Sequence, residues 1–126
     1  MPETGRAHAI RGERTMSKGF VAQYAAQAAL QTAGVADLEP GSLVTLKESI
    51  GIEHEGRGVT VVFQPEHDEL VTITVYPVIY FGSILPEVAW SIQERVKADV
   101  EKYTGLIVDA VHVHVKGVIT REESRK

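Results

Sequence analysis

The period of the apolar residues changes several times along this 126-residue chain, and each change predicts an element. After a polar stretch at 1–16, Phe20, Val21, Tyr24, Ala25, Ala28 and Thr32 recur at spacings of one, three and four. This predicts a helix from Ser17 to about Ala33. Ser17 is placed to cap it and Gly34 to stop it. Six alanines between 22 and 33 allow the helix to approach its neighbours closely. Residues 35–57 carry only short strand-like pieces, LVTL and IGI, and the turn signal EHEGRG at 53–58.

At Val59 the period becomes two. Val59, Val61 and Phe63 share one face of a predicted strand. QPEHDE, 64–69, predicts a hairpin turn around Pro65. In the strand at 70–81, Val71, Ile73 and Val75 point inward, and Thr72, Thr74 and Tyr76 point the other way. Pro77 has no N–H for a ladder, so this strand is expected to be an edge or to bend there. Gly82 ends it. Ser83 is the expected cap of a long helix with Pro86 in its first turn, running to about Thr104 and stopped by Gly105. Ile84, Val88, Ile92, Val96, Val100 and Tyr103 form its apolar stripe, and Arg95–Asp99 and Lys97–Glu101 are i,i+4 pairs on its outer face. Trp90, at the edge of the stripe, fits a core position and an exposed contact equally well. The last strand, LIVDAVHVHVKGVI, places Ile107, Val111, Val113 and Val115 on one face and His112, His114 and Lys116 on the other.

This order of helix, strand, strand, helix, strand predicts an α+β fold in two layers. Two helices cover one face of a small three-stranded mixed sheet, with a right-handed crossover through the long helix. Residues 1–16 are expected to be a flexible arm, 17–118 a single domain, and 119–126 a solvated tail.

Composition narrows the chemistry. There is no cysteine, which removes disulfides, thiolate catalysis and thiolate metal sites, and suits a reducing compartment. Net charge is -4, and no basic stripe of the kind that binds nucleic acid is visible. The apolar runs are too short to span a membrane, and the first sixteen residues lack the apolar core of a secretory signal. The metal-protease, hydrolase-elbow and phosphate-loop motifs are all missing. Glu66, His67, Asp68 and Glu69 are expected to be a solvated turn, and Glu53 with Glu55 ordinary loop carboxylates.

His112 and His114 are the candidates of most interest. At i and i+2 they share a strand face, but two ligands do not make a zinc site, and Lys116 beside them opposes a cation. A third ligand from His54 or His67 would require a loop folded over the sheet. The simpler reading is a solvated sheet face that doubles as a contact surface formed by Thr72, Thr74, His112, His114 and Lys116. Histidine changes charge between pH 5 and 8, so such contacts are expected to respond to pH. The element order also matches the outline of KH-type RNA modules, which leaves an RNA-binding module as the alternative. Yet no two glycines stand three apart to form the loop those modules need.

The ordered set Tyr80, Gly82, Ile92 with Gln93, Thr104 with Gly105, then Val111, Val113, Val115 and Gly117 resembles the core of the bacterial alkaline shock protein family. The alanine-rich helix followed by Gly34 and Val35 is a looser match. The SKGF start of that helix and Pro77 depart from the family pattern. The resemblance implies a small, non-enzymatic cytoplasmic protein linked to envelope stress. It would have no cofactor and no catalytic residue, and would act through protein partners. Some relatives are held by a small membrane-anchored protein and some look tied to lipid metabolism. Homo-oligomers are also expected, because an unpaired sheet edge is a template for pairing.

Overall fold

The computed structural model describes residues 17–39 and 58–124. The expectations for the arm, for LVTL and IGI, for His54 and for the Glu53–Glu55 pair fall outside them. Within them the order is α1 (Lys18–Leu30), β1 (Val35–Leu38), β2 (Val59–Gln64), β3 (His67–Val75), β4 (Pro77–Tyr80), α2 (Leu85–Thr104), β5 (Ile107–Val113), β6 (Gly117–Ile119) and α3 (Arg121–Ser124).

The class is α+β, but the described strands form two three-stranded sheets, β1–β4–β6 and β2–β3–β5, rather than one. Three helices are described rather than two, since Arg121–Ser124 closes a short turn. It starts with a reciprocal cap in which Glu123 N–H donates to Thr120 Oγ1 at 3.1 Å and Thr120 N–H donates to Glu123 Oε1 at 2.8 Å.

The split has a local cause. The predicted strand at 70–81 breaks at Tyr76, because Pro77 starts a new strand where its missing N–H does least harm. Pro77 therefore marks a bend in the central position of the sheet order, not an edge. Backbone bonds carry the sheet across the break. Tyr76 N–H donates to Gly58 O and Glu39 N–H donates to Tyr76 O, both at 2.9 Å, so β2 and β1 follow one another along the same side. On the other side His114 N–H donates to Val75 O at 2.9 Å and Lys116 N–H donates to Pro77 O at 2.8 Å. Gly58 is required at this junction. Its φ is +78°, and a Cβ there would stand 2.5 Å from Leu38 Cβ.

Pairing within the β2–β3–β5 sheet is mixed. β2 and β3 are antiparallel with Val59 opposite Val75, and β3 and β5 are parallel. The hairpin between β2 and β3 is tighter than the pattern suggests: Gln64 pairs with His67, leaving Pro65 and Glu66 as the turn.

The core lies between the sheet and the two long helices. Val59, Val61, Val71, Ile73 and Val75 are buried, as are Val88, Ile92, Val96 and Val100 of α2. The expected apolar face of α1 is buried at Val21, Ala25, Ala28 and Thr32 but not at its two aromatic positions. Val21, Ala22, Ala25, Ala28 and Ala29 are inside, whereas Phe20 and Tyr24 are exposed. Only small side chains fit where α1 meets both α2 and the sheet. Tyr24 instead stacks on Tyr103 of α2 with ring centroids 5.2 Å apart. Gln31 accepts from Arg95 Nη2 at 2.8 Å, so the helices run antiparallel.

Ser17 caps α1 as expected, its Oγ accepting from Phe20 N–H at 3.2 Å. Ser83 does not cap α2. The cap is Ile84, with no side-chain bond. Ser83 closes the preceding turn through its own N–H to Tyr80 O at 3.1 Å. Pro86 leaves one donor fewer to satisfy in the first turn.

Candidate functional site

The candidate surface is the face of the β2–β3–β5 sheet turned away from the helices. Alternation puts Thr60, Thr72 and Thr74 on this face because their neighbours Val59, Val61, Val71, Ile73 and Val75 face the core. Thr74 stands opposite His112, and Thr60 opposite Thr74, making one row across three strands. The Thr60 hydroxyl oxygen is buried and has no hydrogen-bond partner among the described residues. His112 and His114 are exposed, and Thr72, Thr74 and Lys116 are half-buried. The His114 ring lies against Tyr76 with centroids 5.7 Å apart and planes tilted by 36°.

Thr72 belongs to a different group from the histidines. Its hydroxyl donates to Asp109 Oδ1 at 2.7 Å, and Gln64 Nε2 donates to Asp109 Oδ2 at 2.9 Å and to Thr72 Oγ1 at 3.1 Å. Asp109 reaches this face because β5 has a bulge. Val71 pairs with Val108 but Thr72 pairs with Ala110, so Asp109 is an extra residue. This corrects the expected alternation of the last strand. Val108 is buried and Ile107 is 51% exposed, so Ile107 lies on the opposite face from Val111. Gln64 and Asp109 are the residues that sequence reasoning missed. The available signal was a lone aspartate inside a valine run, at a position assigned to the core face.

The outer edge of β5 is held by α2. Gln93 Nε2 donates to Val111 O at 3.0 Å, and Lys97 Nζ donates to Val108 O at 2.9 Å. Glu101 Oε2 accepts from Val108 N–H at 2.9 Å and from Lys97 Nζ at 2.7 Å. The hydrogen bond from Lys97, and then the one from the Val108 backbone, hold the Glu101 carboxyl below the usual range despite its partial burial. The expected Lys97–Glu101 pair is thus also an edge clasp, while Arg95–Asp99 is a looser contact at 3.8 Å. Between α2 and this edge runs an open crevice of about 390 Å³ that His112, Asp109, Gln93 and Lys97 help to line. Trp90 is on the surface, 59% exposed.

Among the described residues no three histidine, aspartate or glutamate side chains converge as metal ligands. His67 faces Glu69 at 3.7 Å on the exposed hairpin, away from the pair in β5. No helix among the described residues is long and apolar enough to cross a membrane.

The sheet, its helical cover and the ordered motifs from Tyr80 to Gly117 define the class, and sequence comparison agrees. Residues 6–120 match the alkaline shock protein family, described as having a cell envelope-related function. The chain belongs to this family. It is 30% identical over 109 residues to YloU of Bacillus subtilis (strain 168), covering 85% of this chain and 88% of YloU. It is 32% identical over 91 residues to YqhY of the same organism, covering 72% of this chain and 65% of YqhY. Both relatives are described as uncharacterized. The solved manganese form of the MamM CTD covers 84% of this chain at 13% identity with a TM-score of 0.47, a likeness too low to carry an argument.

Proposed function

We propose that this chain serves the cell envelope as a non-enzymatic contact protein, using the open face of the β2–β3–β5 sheet. The observation that carries this reading is the one-sidedness of the sheet. Both long helices pack on the valine face, while the opposite face presents Thr74, His112, His114 and Lys116 together with the Gln64–Thr72–Asp109 group. Hydrogen-bonding groups fixed on a rigid sheet give orientation and specificity to a protein interface. The partner is a protein, and a small membrane-anchored protein fits the envelope role of the family. The chain then works in the cytoplasm, brought close to the membrane by that partner.

The test is a photoreactive residue at position 112, crosslinked in the native cell. The expected product is a discrete adduct with an envelope protein. RNA in place of protein would sink this reading in favour of the nucleic-acid one.

A further inference from the structure

The clasp on β5 is incomplete, and where it stops tells how a partner binds. The α2 side chains hold both outward groups of Val108 and the carbonyl of Val111. Beyond Val111 the inward bonds of His114 and Lys116 turn the backbone of Val113 and Val115 outward. Val115 makes no hydrogen bond among the described residues and is 39% exposed. Trp90 stands one turn before Gln93 on the same side of α2. Gln93 sits at Val111 and Lys97 at Val108, so the same progression along the antiparallel helix carries Trp90 to about the level of Val113.

We infer that Val113–Lys116 is a strand-addition site for an extended segment of a partner protein, with carboxylates at alternate positions. This inference rests on the proposed contact role of the sheet face and gives it a binding mode. An added strand would continue the sheet past its open edge. Its side chains on the outer face would lie beside His112, His114 and Lys116, one lysine cation and two imidazoles whose ring N–H groups can donate to an acid. Carboxylates complement that row. A second copy of this edge does not, because two-fold pairing would set the row against itself and bring no carboxylate to Lys116. Side chains on the other face of the segment would meet Trp90.

Two capped ten-residue peptides test this on the full isotope-labelled chain. One alternates valine with glutamate and the other valine with lysine. The glutamate peptide should shift the backbone amides of Val113, Val115 and Lys116 and bind about tenfold tighter than the lysine peptide. Val115→Pro removes an outward N–H that no described residue uses, and should weaken glutamate-peptide binding by about tenfold. If that variant unfolds, the double variant His114→Glu with Lys116→Glu serves instead and should reverse the preference between the peptides. Equal binding of both peptides would overturn the acidic assignment. Shifts confined to Thr72, Thr74 and His112, with Val115→Pro binding unchanged, would overturn strand addition and leave the face reading standing. If neither peptide binds while the position-112 crosslink still captures a protein, strand addition alone fails. If the crosslink fails as well, both readings fall.

Discussion

The two long helices cover the same sheet by different means. α1 buries Ala22, Ala25, Ala28 and Ala29 around a single valine, whereas α2 buries Val88, Ile92, Val96 and Val100. Alanine contributes little buried area but lets backbones come close, and branched side chains contribute area at a wider spacing. α1 is therefore a spacer whose position is set by what does not fit, and α2 an anchor held by what it buries. α2 also faces outward usefully, since Gln93, Lys97 and Glu101 hold the edge of β5. α1 has no such reach among the described residues.

This contrast is best broken first at the anchor. Ile92 is fully buried, and Ile92→Ala should cost about 2–5 kcal/mol in urea unfolding followed by circular dichroism. The spacer should fail in the opposite sense, by overfilling. Ala25→Leu in α1 should cost about 1–3 kcal/mol, although it adds apolar surface. A gain in stability there would show that α1 has room and is not set by close approach.

The turn that docks α1 against α2 sharpens the comparison. Gly34 has φ +95°, and a Cβ there would stand 2.8 Å from Val88 Cγ2. Gly82 has φ +97° and open space around it. The left-handed conformation alone costs a non-glycine residue about 1–2 kcal/mol, so Gly82→Ala should lose about that much and Gly34→Ala clearly more. Equal losses in thermal unfolding would mean that Val88 yields freely and the docking is loose.

The smallest effect concerns the outward chemistry of α2. Because the folded state lowers the Glu101 pKa, Glu101 stabilises the fold above the unfolded carboxyl range, and this contribution disappears as pH falls through the folded value. Glu101→Gln should therefore be less stable than the parent at pH 7, by under about 1 kcal/mol as for ion pairs near the surface, with the gap closing as the pH falls below the usual carboxyl range. A gap that widens in acid would reverse the assigned sign.

What was legible in the residues follows from the same physics. Period-two runs such as Val71–Ile73–Val75 and the spacing of Val88, Ile92, Val96 and Val100 identify their buried faces because burial there is one-sided and regular, whereas Ile84 and Tyr103, at the ends of the same stripe, are exposed. α1 was harder. Its aromatics looked like core, but pattern alone carries no distance between backbones, and close approach turned Phe20 and Tyr24 outward. The break at Tyr76 was half legible, since Pro77 announces a disruption without saying whether it lies at an edge or a bend. The place of Thr74 and His112 on the face opposite the valines was legible from alternation alone. The separate group around Asp109 was not, because it depends on a pairing register that only the partner strand defines.

That bulge also divides β5 into two frames of reading. Before it, odd-numbered Ile107 faces solvent, and after it odd-numbered Val111 faces the core. Deleting Asp109 would merge the frames without turning either of them over: Val108 would stay inside opposite Val71, Ile107 would stay outside, and the histidines would keep their places opposite β3. The bulge therefore stores one residue of chain between the end of α2 and the surface that His112 and His114 present, and that residue can be lost without moving the surface.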